Sequence, residues 1–167
     1  MENQYPAILG LETEVPAQCY LQDELYGLMR PYLNQSARTQ IIFENAGVGS
    51  RYMAAPSDYY ERERTTQERN ERYLVEALEL GLRAARQCLE SSGVQADSVT
   101  DLIVVSCTGI DTPGLDLRIA KDLGMSPWLQ RTCVLGMGCY GAFPGMLRAR
   151  QAVLANGGLA LLVCVEI

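Results

Sequence analysis

The sequence predicts an α/β protein in which helices cover the faces of a mixed sheet. Apolar strand-like runs alternate with helical repeats along the chain. One run, 101–106, is rich in β-branched residues and nearly continuous in its apolar character, as in a strand covered on both faces. Another run leads into glycines around Cys139 and then into a helix-like segment. This last pattern is typical of a sharp strand-to-helix turn.

The first third of the chain is predicted to hold one strand and one helix before a glycine turn. The apolar run 7–11 predicts a short strand, ended by a Val-Pro pair. Apolar residues at three-to-four spacing predict a helix over 18–30, limited by Pro31. Residues 41–52 indicate a helix end, a glycine turn and an extended piece.

A long helix is predicted next. The alternating charges of 58–72 indicate a solvated helix surface. The helix then becomes amphipathic, and one apolar face is formed by Leu74, Ala77, Leu78, Gly81, Ala85, Cys88 and Leu89. Gly93 ends it, and the strand 101–106 follows, which implies a crossover connection.

The remaining elements continue the alternation. The loop 107–114 follows a strand's carboxyl end, where layered α/β proteins favour ligands. A helix is predicted from about 115 to 123, and Thr112 before Pro113 is a suitable N-cap for it. A strand at 133–135 then precedes the Cys139 turn.

A helix to about Leu154 and a strand over 159–165 close the chain. A buried final strand with nothing to cover it would leave an unpaired edge and apolar surface, which native domains avoid. We therefore expect these residues to belong to a longer protein.

Composition excludes several classes of function. The 167 residues carry a formal net charge of −6, and their basic residues are scattered among acids, which argues against broad nucleic-acid binding. No apolar stretch reaches the ~18 residues of a membrane span, and the N-terminus lacks a signal-peptide pattern. The six cysteines show no metal-ligand spacing. We expect a cytoplasmic protein with reduced thiols, no metal and no cofactor.

Cys139 is the candidate nucleophile. A turn that opens a helix presents unpaired N–H groups and favours an anion such as a thiolate. A helix terminus contributes only about 0.3–1 kcal/mol, too little to ionise most of an ordinary thiol at neutral pH. Cysteine enzymes usually add a histidine, and this sequence has none. The other interpretation is a buried structural thiol, which we assign to Cys88 and Cys164.

Three segments in this order resemble the N-terminal half of the type III polyketide synthases, the chalcone-synthase-like members of the thiolase fold. They are Val48–Met53, Asp101–Gly114 with its Cys-Thr-Gly-Ile-Asp-Thr-Pro-Gly sequence, and Gly136–Gly141. The ending Leu159–Ile167 resembles the strand after the nucleophile helix of that family. The resemblance implies one thiolase-like half-domain over 1–167, with the C-terminal half absent. The Gly-Met-Gly before Cys139 looks more like bacterial members than plant ones.

The resemblance implies an acyltransferase that forms polyketides. Cys139 would take an acyl group from acyl-CoA, and malonyl-CoA would then decarboxylate to a carbanion equivalent that attacks the acyl-enzyme. Family members pair this cysteine with a histidine and an asparagine of the second half. The 167-residue chain is therefore expected to be incomplete and inactive alone. The complete enzyme is expected to be a homodimer.

Further residues are assigned by the same resemblance. Cys107 and Thr108 match the loop that lines the starter pocket. Thr112 matches the residue that reaches across the dimer into the partner's cavity. Arg38 matches a basic position that contacts coenzyme A phosphate, whereas Arg51 is expected to anchor its own turn.

Three alternatives remain open from the sequence. A ketoacyl synthase III type enzyme shares the fold, the cysteine and the helix, but condenses once. A non-catalytic half-protein could dock onto a complete synthase subunit. A redox thiol sensor is the third, although no resolving cysteine is adjacent in sequence.

Overall fold

The computed structural model describes residues 5–33 and 36–167, which form two compact units. One unit is Val15–Gln67, and the other combines the chain up to Glu14 with Glu68–Ile167. The elements of the first unit are β1 (Gln18–Leu21), α1 (Gln22–Met29), α2 (Ala37–Glu44) and β2 (Ser50–Met53). Short 3-10 helices cover Arg30–Tyr32 and Ser57–Glu61.

The smaller unit is built on an antiparallel pair of strands, in which Gln18 lies opposite Met53 and Leu21 opposite Ser50. The predicted helix over 18–30 is therefore wrong in its first four residues, which form β1 because β2 supplies a pairing partner. Arg51 in β2 donates from its Nε to Gln22 Oε1 at the start of α1, at 2.8 Å. The expectation that it anchors its own turn stays a prediction.

The predicted strand over 7–11 is also wrong, since these residues have no regular secondary structure. The segment is instead held against the long helix α3 (Thr66–Ser92). At Gly10 an added Cβ would lie 3.2 Å from the Cys88 carbonyl oxygen and 3.3 Å from its sulfur. Packing against a helix replaces strand pairing here.

The larger unit contains α3, β3 (Asp101–Ser106), α4 (Leu115–Asp122), β4 (Gln130–Leu135), α5 (Ala142–Asn156) and β5 (Ala160–Cys164). Short 3-10 helices cover Ala96–Ser98 and Gly138–Gly141. The three strands form a parallel sheet in the order β4, β3, β5. All six residues of β3 are buried, which confirms the prediction of a strand covered on both faces.

Helices cover both faces of this sheet, as predicted. Leu102 and Val104 join a core with α3 and α4, in which Ala77 and Ile119 are fully buried. Val105 faces the other side, toward Gly141 and Gly145 at the start of α5. Both faces of β3 are therefore sealed by apolar contacts, and its carboxyl end is fixed relative to β4 and α5.

The charged stretch 58–72 is helical only in part. Residues Ser57–Glu61 form a 3-10 helix, and α3 begins at Thr66. On α3, Arg72 pairs with Glu76 at 3.0 Å. None of the helices within 5–33 and 36–167 is long and apolar enough to cross a membrane.

Candidate active site around Cys139

Cys139 lies in the turn that joins β4 to α5. The strand ends at Leu135, and Gly136 and Gly138 then adopt positive φ values of 72° and 59°. Residues with a Cβ rarely take this conformation, so the two glycines allow the chain to reverse into the helix. Cys139 follows in the 3-10 turn Gly138–Gly141 and is exposed. The predicted strand-to-helix turn is confirmed.

Close packing of α5 on the central strand fixes this turn. A Cβ added to Gly141 would lie 2.7 Å from Val105 Cγ1, and one added to Gly145 would lie 2.8 Å from Val105 Cγ2. Real Cβ atoms do not approach so closely. The two glycines, one turn apart, therefore bring the first turn of α5 against β3 and hold Cys139 at the carboxyl end of the sheet.

The loop after β3 lies beside the Cys139 turn. Cys107 and Thr108 are its first residues, and both are exposed. The Cys107 thiol lies close enough to the Gly138 N–H for that group to lower its pKa, and close enough to Cys139 for the charge of a Cys139 thiolate to raise it. The structure thus brings together Cys107 and Cys139, which the sequence assigned to one site from separate motifs.

Glu166, just beyond β5, anchors the start of this loop. Its carboxylate accepts hydrogen bonds from the Cys107 N–H at 2.9 Å, the Thr108 N–H at 3.1 Å and the Thr108 hydroxyl at 2.8 Å. The Thr108 hydroxyl oxygen in turn accepts from the Ile167 N–H at 3.2 Å. Glu166, as a hydrogen-bond acceptor beside the thiol and as a negative charge, raises the pKa of the exposed Cys107 thiol.

Helix α3 holds the middle of the loop. Asn70 donates to the Ile110 carbonyl at 2.9 Å and accepts from the Ile110 N–H at 2.8 Å. The buried Tyr73 hydroxyl donates to Ser106 Oγ at 2.7 Å. The Tyr73 ring lies directly against Gly109, where a Cβ would overlap it. Anchors from α3 and from the end of β5 therefore position the loop.

Thr112 lies later in the same loop and is exposed. The prediction that it caps α4 is wrong, since the helix begins at Leu115 with Gly114 at the N-cap position. The preceding residue, Asp111, accepts from the Thr112 N–H at 3.0 Å and pairs with Arg118 at 2.6 Å. These bonds stabilise an extra loop turn before the helix starts.

Arg38 lies in the smaller unit, near the start of α2, where it is exposed. Ser36 caps this helix by accepting a hydrogen bond from the Thr39 N–H at 3.2 Å. The assignment of Arg38 to a coenzyme A phosphate stays a prediction.

Of Cys88 and Cys164, which the sequence predicts to be buried structural thiols, only Cys88 meets that prediction. Cys88 is partly buried against the core of α3, as expected of a structural thiol. Cys164 is exposed, so its assignment to the core is wrong. Leu161, Val163 and Val165 face the core with α3 and α4, and Cys164 lies on the opposite face at the end of an edge strand. No three His, Cys, Asp or Glu side chains in the described part of the chain could together hold a metal ion.

Sequence reasoning missed Glu166, Asn70 and Tyr73. Glu166 had a usable signal, because it directly follows a strand whose carboxyl end lies at the same sheet edge as the loop after β3. Tyr73 and Asn70 lie on a helix whose register against the loop is set by tertiary packing. Their partners are separated from them by 33 and 40 residues.

Tyr73 predicts a dependence of stability on alkaline pH. Burial is the largest cause of its raised pKa, with the negative charge of Glu166 adding to it. Because the folded pKa exceeds the unfolded value, this contribution is fully present below about pH 10 and is lost as pH rises toward the folded pKa. Urea unfolding between pH 9 and 11 should show a smaller loss of stability in Tyr73→Phe than in wild type. Tyr140→Phe, which removes an exposed hydroxyl, is the matched control.

Solved structures define the class of protein to which this fold and turn belong. PKS-I from the brown alga Ectocarpus siliculosus matches 100% of the chain with 50% of its own length, at a TM-score of 0.88 and 28% identity. The fungal type III polyketide synthase ORAS covers 96% of the chain with 46% of its own, at a TM-score of 0.85 and 22% identity, and supports the fold alone. The fold is thiolase-like, as expected.

The family follows from the sequence match. The model of the chalcone and stilbene synthases, N-terminal domain, matches residues 3–167, and the chain belongs to this family. This confirms the resemblance drawn from the motifs.

Curated relatives are polyketide-forming enzymes of about twice this length. The 1,3,6,8-tetrahydroxynaphthalene synthase of Streptomyces peucetius is 27% identical over 166 residues, which cover 96% of the chain and 44% of the relative. The alpha-pyrone synthesis polyketide synthase-like Pks18 of Mycobacterium tuberculosis is 29% identical over 170 residues, covering 96% of the chain and 43% of the relative. The chain therefore spans less than half the length of these relatives.

Proposed function

We propose that these residues are the acyl-accepting half of a type III polyketide synthase, with Cys139 as the acyl carrier. The observation that carries the proposal is the exposed Cys139 on a turn of positive-φ glycines, fixed at the carboxyl end of a parallel sheet. Membership of the chalcone and stilbene synthase family supports the same chemistry.

The first step is a thioester exchange. The Cys139 thiolate attacks the carbonyl carbon of an acyl-CoA, a new carbon–sulfur bond forms, and the bond to coenzyme A breaks. The electron pair leaves on the coenzyme A sulfur, which then takes up a proton. Sulfur suits this role because a thiolate is a strong nucleophile and its thioester stays electrophilic.

The second step forms the carbon–carbon bond. Malonyl-CoA loses CO₂, and the resulting carbanion equivalent attacks the Cys139 thioester carbonyl, which releases the Cys139 sulfur as a thiolate. The family uses a histidine and an asparagine to activate the thiolate and to hold the oxyanion, and the resemblance places both in the second half. The 167 residues include no histidine that could take the first of these roles. Condensation is therefore a property of the complete enzyme.

The surface around the turn suits an apolar acyl chain. The side chains of Leu135, Met137, Tyr140 and Phe143 are all exposed there, and the rings of Tyr140 and Phe143 stack with centroids 5.5 Å apart. We assign Cys107 and Thr108 to the starter pocket beside Cys139. We further propose that Thr112 lies at the dimer interface and that Arg38 contacts a coenzyme A phosphate. The complete enzyme would act in the cytoplasm as a homodimer and without a cofactor.

Acyl transfer can be tested on the 167-residue chain itself. The chain is incubated with lauroyl-CoA at pH 8.5, where an ordinary thiol is about half ionised without a base, and intact mass is measured. Wild type should gain one acyl group. In Cys139→Ala the acylated fraction should be lower than in wild type by about tenfold or more, because the attacking sulfur is gone.

The control is Cys19→Ala, which removes another exposed cysteine and should acylate like wild type. Peptide mapping identifies the acylated residue. Equal acylation of wild type and Cys139→Ala, or an acyl group on another cysteine instead, would contradict the proposal.

A further inference from the structure

Glu166 makes an unusually dense set of contacts for an exposed carboxylate. Both of its oxygens accept from the Cys107 N–H, at 2.9 and 3.1 Å, and one also accepts the N–H and hydroxyl of Thr108. These bonds tie the end of β5 to the first two residues after β3. The position of the Cys107 side chain therefore depends on Glu166.

The same carboxylate also acts on the Cys107 thiol. Its acceptor oxygens and its negative charge favour the protonated thiol, and the Gly138 N–H acts in the opposite direction. The titratable groups that act on the Cys107 thiol come from two elements: Glu166 after β5 and Cys139 in the 3-10 turn. Tyr73 on α3 bonds to Ser106, the residue before Cys107.

Two neighbouring thiols create a chemical hazard for an acyl carrier. If Cys107 were a thiolate, its sulfur could attack the thioester carbonyl on Cys139. A bond from the acyl carbon to the Cys107 sulfur would form, the bond to Cys139 would break, and Cys139 would leave as a thiolate. The acyl group would then sit on the wrong sulfur.

The attack requires the Cys107 proton to leave first, because the thiolate is the nucleophile. A carboxylate is a much weaker base than a thiolate, so a thiol that donates to a carboxylate keeps its proton. A carboxylate in this position thus acts as a hydrogen-bond acceptor and leaves the thiol neutral.

We propose that Glu166 confines the acyl group to Cys139 by keeping Cys107 from acting as a second acyl acceptor. This inference rests on the proposed acylation of Cys139. Glu166 acts through Cys107 and is a positioning residue. Glu166→Gln keeps the size of the side chain and removes its charge, which isolates this effect.

The first measurement is the alkylation of Cys107 by iodoacetamide, followed at each cysteine by peptide mass spectrometry from pH 6 to 10. In Glu166→Gln, Cys107 should react about threefold faster or more at pH 8, and its rate profile should move to lower pH. Glu90→Gln, at another exposed carboxylate, is the matched control and should leave Cys107 unchanged. Glu166→Asp keeps the charge and should stay closer to wild type.

The second measurement is the acyl distribution after incubation with lauroyl-CoA. Wild type should carry the acyl group on Cys139, and Glu166→Gln should carry a second fraction on Cys107. If Glu166→Gln does not fold, wild type still provides a test, because Cys107 should alkylate more slowly at pH 8 than Cys19, although both are exposed.

The outcomes separate the two proposals. Equal Cys107 alkylation in folded wild type and Glu166→Gln, or equal rates at Cys107 and Cys19 in wild type, overturns the role of Glu166. Acylation of both cysteines in wild type overturns it as well. If alkylation responds as expected but no cysteine is acylated, acyl transfer to the 167-residue chain fails and the control of Cys107 by Glu166 stands.

Discussion

Gly109→Ala is expected to destabilise the protein by about 2–4 kcal/mol, or roughly 10 °C in melting temperature. The Cβ would overlap the Tyr73 ring, and the overlap includes the ring atom closest to the Tyr73 backbone. Tyr73 is only 3% exposed and its hydroxyl bonds to Ser106 at 2.7 Å, so the ring cannot move without breaking a buried contact. The loop or the ring must shift, and either shift loses packing.

Thermal and urea unfolding of the purified chain measure this effect. Gly49→Ala is the matched control, because a Cβ on this loop glycine meets nothing within 4 Å. Adding Gly109→Ala to Tyr73→Ala should cost little further, since the ring is already gone. Wild-type stability in Gly109→Ala would show that the loop and α3 do not pack as described.

The sequence predicted those elements whose evidence is local. β3 was placed with correct bounds because a strand covered on both faces gives an unbroken apolar run. The Cys139 turn was placed because positive φ values require glycine, and Gly136 and Gly138 stand where the chain reverses. The end of α5 follows the same rule, since Gly157 ends the helix at φ 68°.

Elements set by distant partners could not be predicted in this way. β1 has only four residues, and its pairing with β2 joins positions about thirty residues apart, so its sequence gave no strand period to detect. The contacts of Glu166 join residues 58 and 59 positions apart. Cys107 and Cys139 belong to separate motifs in the sequence. Only the parallel register of β4, β3 and β5 shows that these two thiols and the Glu166 carboxylate lie at the same edge of the sheet.

The apolar face of the long helix shows the same division. The predicted face of α3 includes Ala77, Gly81, Ala85 and Leu89, and all four are buried. The amphipathic period is a local property, so it identifies the buried side of a helix. It does not identify which residues pack against that side. The contact between Gly109 and Tyr73 therefore could not be predicted from the period.

The second large effect is expected at α5, the helix that follows the Cys139 turn. Gly145→Ala should cost about 1–3 kcal/mol, because the new Cβ would lie 2.8 Å from Val105 Cγ2 and 2.9 Å from Leu162 Cδ1. Alanine is intrinsically better than glycine in a helix by about 1 kcal/mol, so a net loss means that the clash outweighs this gain. Val105 is β-branched and only 4% exposed, which limits its response.

Gly81→Ala is a sharp control for this prediction, because Gly81 is also a buried helix glycine packed on the sheet. Its added Cβ would meet Ile119 Cδ1 and Val163 Cγ1 at 3.5 Å, which is ordinary contact, so this variant should be neutral or more stable by up to about 1 kcal/mol. The two substitutions are chemically identical and should differ in sign. In a Val105→Ala background, Gly145→Ala should cost less than it does in wild type, since one of the two close contacts of the new Cβ is gone.

The same variants connect packing to chemistry. If close approach of α5 to β3 holds Cys139 in place, Gly145→Ala should slow acylation of Cys139 by lauroyl-CoA even at temperatures where the chain is fully folded, and Gly81→Ala should not. Misplacement of a reacting group by about 1 Å can cost a factor of about 100 in rate. Unchanged acylation in a destabilised Gly145→Ala would mean that the 3-10 turn alone sets the position of the sulfur, independently of the helix behind it.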